Sequence, residues 1–148
     1  MEKLCRHLQQ YGPLAARILL AQLFIVSGFA KITGFAKTAD FMAKVGLPAP
    51  VILLVLTIAL EIGGGILLAL GWRARWVAAA MCGFTFLTAM LIHPFWSVDP
   101  AAFSAHLNNF MKNLAIMGGM IYVMAYGGGP YSLGGDACAT AQGGDRKP

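Results

Sequence analysis

The chain has 148 residues, of which 58% are hydrophobic and 11% charged, and its mean hydropathy is +0.68. A soluble domain carries about 25% charged residues, so a soluble globule is excluded, and a chain this apolar is not disordered either. The net charge of +5, from 11 Lys and Arg against 6 Asp and Glu, is scattered at the flanks of apolar runs, which marks membrane topology and not nucleic-acid binding.

In chain order, the first apolar run covers residues 14–33, with Arg17 near its start and Lys31 near its end. Lys3 and Arg6 precede it as in a signal peptide, but Lys31 and Lys37 stand where a small-residue cleavage site would lie, so the run is read as a span. Next, Phe35, Phe41, Met42, Val45 and Leu47 alternate with Lys37, Asp40 and Lys44 before Pro48 and Pro50. This pattern predicts a short amphipathic helix at the outer membrane interface. The second run, 51–70, holds a single charge, Glu61, and the third, 76–92, holds none. His93-Pro94-Phe95-Trp96 ends the third run and sets aromatic rings at headgroup level. The fourth run, 110–126, carries Lys112 and Asn113 in its first turn and stops at Gly127-Gly128-Gly129-Pro130.

At about 1.5 Å per residue these runs are about 25–30 Å long, enough to cross a bilayer. None alternates with period two, which argues against a β-barrel. The expectation is an all-α integral membrane protein, a four-helix bundle over residues 1–133 followed by a flexible Gly- and Ala-rich tail at 134–148. An even number of spans puts both termini on one side with the turn at 71–75. That side holds seven basic residues (Lys3, Arg6, Arg17, Arg73, Arg75, Arg146, Lys147) against four (Lys31, Lys37, Lys44, Lys112), so both termini are predicted cytoplasmic.

Glu61 lies near mid-bilayer, where an ionised carboxylate is costly and normally faces the bundle interior with a partner. It is either an ion-paired or hydrogen-bonded carboxyl that sets helix register, or a group that handles a proton or binds a ligand. Thr57, Glu61 and Gly64 share a stripe, and Gly63-Gly64-Gly65 lets a neighbouring helix come close. Arg17, Ala21, Phe24, Gly28 and Lys31 form a second stripe; Cys82, Phe86, Ala89 and His93 form a third. Snorkelling to the headgroups is the plain explanation of Arg17 and Lys31. Antiparallel packing would bring Lys31, His93, Lys112 and Asn113 into one outer layer above Glu61, with Lys112 able to reach toward it. Such a layer suits a quinone head or a small anion, or serves as an electrostatic staple.

Cys5, Cys82 and Cys138 are far apart, so no thiol pair, zinc site or iron–sulfur set is encoded; His7, His93 and His106 lie outside the span interiors, where haem would need them. No metal site and no encoded cofactor is expected. The small-residue pair Gly118-Gly119 leaves room for a homodimer.

The order of these features resembles the DoxX family of small membrane proteins, and within it the YqjF-like bacterial inner-membrane branch. The resemblance runs over residues 14–133 and rests on Arg17, Ser27-Gly28-x-x-Lys31, Glu61-x-Gly63-Gly64-Gly65, Gly71-x-x-x-Arg75, His93, Met111-Lys112-Asn113-Leu114 and Tyr131-Ser132. The chain departs from the family's usual Gly-Pro-Gly-x-Tyr-Ser ending, with Gly-Gly-Gly-Pro-Tyr-Ser instead. The resemblance implies a four-helix protein of the bacterial cytoplasmic membrane. It also implies a place in a quinone-linked or redox complex, with a soluble oxidoreductase or sulfurtransferase-type partner. It nominates Glu61 as proton-handling or ion-pair carboxyl and Arg17, Lys31, His93, Lys112 and Asn113 as ligand-binding residues. Two rival readings stand beside it: a small proton-coupled transporter working through Glu61, and a non-enzymatic scaffold that recruits an oxidoreductase through the turn at 71–75.

Overall fold

The computed structural model describes residues 1–134 and is all-helical over that range. Five α-helices follow one another: α1 (Glu2–Thr33), α2 (Phe35–Lys44), α3 (Pro50–Leu70), α4 (Ala74–Ile92) and α5 (Pro100–Tyr126), with a 3-10 turn at Phe95–Ser97 before the last. A short helix stands between the first two apolar runs, as predicted, and is α2. All but the first residue of the tail expected at 134–148 lies outside the described residues.

Two helices begin earlier than the apolar runs do. α1 starts at Glu2, because Glu, Lys, Leu, Arg and Gln over its first turns favour helix even without hydropathy, and it continues through Pro13. α5 starts at Pro100, since Asp99 as N-cap and proline in the first turn form a start signal ten residues ahead of the apolar stretch. Hydropathy locates the part of a helix that lies in lipid and is silent about polar extensions. Three helical segments are long and apolar enough to cross a membrane: Glu2–Thr33, Pro50–Leu70 and Ala74–Ser97. α5 has 27 residues, but Asn109, Lys112 and Asn113 interrupt its apolar character.

α3 ends in a left-handed glycine cap: Gly71 has φ 72°, its N–H donates to the carbonyl of Leu68, and the Trp72 N–H donates to that of Leu67. This turn sends α4 back beside α3. The most extensive packing is of α1 on α3 and of α4 on α5, and α2 lies against α3 and α1. On α1 the buried residues are Arg17, Ala21, Phe24 and Gly28, the stripe read from the sequence. On α4 they are Ala74, Ala78, Met81, Thr85 and Ala89, so of the Cys82–Phe86–Ala89–His93 stripe Ala89 is buried and Phe86 faces outward. The reason is lipid: small residues admit a neighbouring helix, while large apolar side chains lose nothing by facing hydrocarbon. Ile18, Val26, Ile52, Leu56 and Trp76 are all exposed for the same reason.

Glycines set the α1–α3 spacing. A Cβ on Gly28 would meet Ile62 Cγ1 at 2.6 Å; one on Gly65 would meet Ile25 Cγ1 at 2.7 Å and the carbonyl oxygen of Ala21 at 3.2 Å. A Cβ on Gly64 would meet the Met81 sulfur on α4 at 2.9 Å, whereas one on Gly63 meets nothing within 4 Å among the described residues. Gly65→Val is therefore expected to destabilise the protein by about 1–3 kcal/mol in detergent, while Gly63→Ala stays within about 0.5 kcal/mol of the unaltered chain. Thermal unfolding of the two purified variants checks the contrast.

Candidate functional site

Where α1 and α3 touch at Gly28, the carboxyl of Glu61 is drawn against the last turns of α1. Lys31 Nζ lies 2.9 Å from Glu61 Oε1 and 2.6 Å from Ser27 Oγ, and the Ser27 hydroxyl donates to the same carboxylate oxygen at 3.1 Å. Ser27 and Lys31 are one helical turn apart on α1, so they meet Glu61 from one face. Glu61 is 4% exposed, and its second oxygen, Oε2, is buried with no hydrogen-bond partner among the described residues.

The triad lines a cavity of about 460 Å³ whose walls come from all five helices. Beyond it the lining is mostly apolar, with Thr38, Thr57, Thr85, Thr88, His93 and Asn113 as its other polar side chains. The cavity size falls in the usual range of small-molecule sites. Lys31 carries three N–H donors, of which Ser27 and Glu61 take two, leaving one for a ligand. Because the ammonium and the carboxylate neutralise each other, the polar end of the cavity carries hydrogen-bonding groups and little net charge. It therefore favours a neutral acceptor over an anion.

Lys31, Glu61, His93 and Asn113 are thus brought to one cavity. Lys112 is not in its lining; it is exposed on α5, and the partner of Glu61 is Lys31. Ser27 and Thr57 also face the cavity, and His106 packs edge-on against His93 with ring centroids 5.7 Å apart. The signal for Ser27 in the sequence is its four-residue spacing to Lys31 beside a glycine. His106 had no such signal, since it lies on the polar extension of α5. No group of three or more His, Cys, Asp or Glu side chains converges among the described residues.

Arg17 lies near the middle of α1, about four turns before Lys31, and is fully buried. It donates through Nη1 to the carbonyls of Ala69 (3.2 Å) and Leu68 (3.5 Å), and through Nη2 to that of Tyr131 (2.8 Å). Arg75 Nη1 donates to Met124 and Ala125 at 2.8 and 2.9 Å. Each arginine therefore satisfies orphan carbonyls at a helix C-terminus, where the helix dipole also favours a cation. Gly71 packs so closely on the Arg17 guanidinium that a Cβ there would collide with it. The segment after α5 completes the clasp: the Leu133 N–H donates to Leu70, and the Tyr131 ring stacks on Tyr11 at 5.6 Å.

Residues 12–94 match the family model described as DoxX, which takes in most of α1 and all of α2, α3 and α4. Over 130 residues the chain is 41% identical to the inner membrane protein YqjF of Escherichia coli (strain K12), covering 86% of this chain and 93% of that one. It is 33% identical over 120 residues to the inner membrane protein YphA of the same organism, covering 81% and 86% respectively. No solved structure matches.

The two ends of the bundle are expected to respond differently to substitution. Arg17→Met and Gly71→Ala should each lower stability by about 1–3 kcal/mol, since one strands buried carbonyls and the other strains a left-handed residue. Lys112→Ala should fall within about 0.5 kcal/mol of the unaltered protein. Chemical unfolding in detergent, followed by circular dichroism, tests the ranking.

Proposed function

The chain belongs to the DoxX family and is an inner-membrane protein, and we propose that it serves as the quinone-binding membrane subunit of a redox complex. The observation that carries this reading is the neutralised Lys31–Glu61 pair in the wall of a mostly apolar cavity. The residues present fit a quinone head: the spare Lys31 N–H, His93 and Asn113 can donate to ring oxygens, and apolar walls can cover the ring. A bound quinone supplies a carrier of two electrons and two protons. Lys31 and Ser27 hold the Glu61 carboxyl in place, and Glu61 is the group that takes or returns a proton at the head.

In this reading α5 is the fourth span and both termini are cytoplasmic. α5 is about 40 Å long at 1.5 Å per residue, and its polar residues Asn109 and Asn113 turn partly inward. The electrons come from a soluble oxidoreductase or sulfurtransferase-type partner. Arg17 and Lys31 are separated by about 21 Å along α1, so such a partner must meet the chain at the Lys31 end to reach the cavity. Arg75 is engaged at the end of α5; Arg73, which lies over the Trp72 ring, is the cation of the turn that makes no ion pair among the described residues and that a scaffold reading would use. A transporter reading needs a path to the other face, and the buried Leu68, Ala78 and Met81 fill that half of the bundle, which favours binding over transport.

Quinone retained through purification in mild detergent tests the proposal. Organic extracts of the unaltered protein should hold quinone at close to one per chain. Asn113→Leu and Lys31→Met should reduce it by about tenfold, the loss of one good polar contact each, and Lys112→Ala should retain it. An extract of the unaltered protein free of quinone would overturn the reading.

A further inference from the structure

Four side chains of the cavity wall are also part of the molecular surface: Leu23 of α1 is 48% exposed, Phe41 of α2 is 45% exposed, and Leu87 and Leu91 of α4 are 56% and 49% exposed, so three of the four belong to α2 and α4. A residue that lines a cavity and stands half in the surroundings marks an opening. α2 packs on α3 and on α1, and no Cα atom of α2 comes within 8 Å of one on α4, so the backbones of these two helices stay apart. The surface of α3 and α4 is made of large apolar side chains, among them Ile52, Leu56 and Phe86. In an inner-membrane protein that surface meets hydrocarbon, so the opening leads into the bilayer and not into water.

From this geometry we infer that the ligand is a lipid: its head seats at Ser27, Lys31 and Glu61, and a long apolar chain leaves the cavity between α2 and α4 into the bilayer. The inference rests on the quinone reading of the cavity for the head and adds the chain and its route. A cavity of about 460 Å³ holds a ring and the first part of a chain, so the remainder must lie outside. The route leaves the chain in hydrocarbon before and after binding, so only the head changes surroundings. The head then gains the one Lys31 donor that the triad leaves unused. A small water-soluble ligand would have no use for an apolar opening of this kind.

The test compares a ring-only benzoquinone with the same ring carrying a decyl chain, each measured in competition with a labelled decyl quinone on protein in lipid nanodiscs. Narrowing the opening with the double variant Leu87→Trp/Leu91→Trp should weaken the decyl compound by about tenfold and leave the ring-only compound within about twofold. Val26→Trp, on a lipid-facing position outside the cavity, should alter neither and controls for partitioning into the disc. If the double variant weakens both compounds equally, or neither, the opening is not the route and the inference fails while the quinone site stands. If neither compound binds the unaltered protein, the quinone reading fails and takes the inference with it.

Discussion

A carboxylate near the middle of a bilayer is tolerated only if something else takes its charge, and in this chain that is Lys31 from the neighbouring helix. The demand reaches well beyond the two side chains. For an ammonium on α1 to lie 2.9 Å from a carboxylate on α3, the helices must approach at that level, and Gly28 against Ile62 and Gly65 against Ile25 make the approach possible. Ser27, one turn below Lys31, adds its hydroxyl to the same oxygen. The pair is thus a register device for α1 and α3 and, because it is neutral and faces the cavity, the polar end of the proposed binding site as well. Of the two readings of Glu61 open from the sequence, register and ligand chemistry, the geometry makes one compatible with the other.

The ends of the bundle divide the labour. At one end Arg17 and Arg75 close the C-termini of α3 and α5, Gly71 seats the first guanidinium, and the chain after α5 folds over it. That end is bound together by backbone carbonyls, which engage the guanidinium groups of Arg17 and Arg75. At the other end α2 lies across α1 and α3 with its backbone apart from that of α4, and the interior is hollow. A locked base and an open top suit a site that must stay rigid in position while admitting a molecule from the side.

What was legible in the sequence follows from which constraint was local. The α1 stripe could be read because glycine, alanine and two charges at helical spacing have few other uses in a lipid-spanning run, and α2 because its apolar face is broken cleanly by Gly34 and Pro48. The spacing that aligns Cys82, Phe86, Ala89 and His93 does not say which face of α4 is buried; the buried face is Ala74, Ala78, Met81, Thr85 and Ala89, and Phe86 is exposed. The role of Arg17 was hidden because its partners are main-chain carbonyls more than fifty residues away, which carry no side-chain signature. Choosing between Lys31 and Lys112 as the partner of Glu61 needed the rotation of α5 about its own axis, and periodicity gives depth in the membrane more readily than rotation.

The most direct test is a double-mutant cycle on Lys31→Met and Glu61→Gln, with stability measured by reversible unfolding in detergent. Lys31 is partly exposed and therefore partly screened, so the account predicts a coupling of about 2 kcal/mol: each single variant destabilises, and the double variant is less destabilised than the sum of the two. Strictly additive effects would mean that the pair does not hold α1 to α3, and would contradict the account at its base.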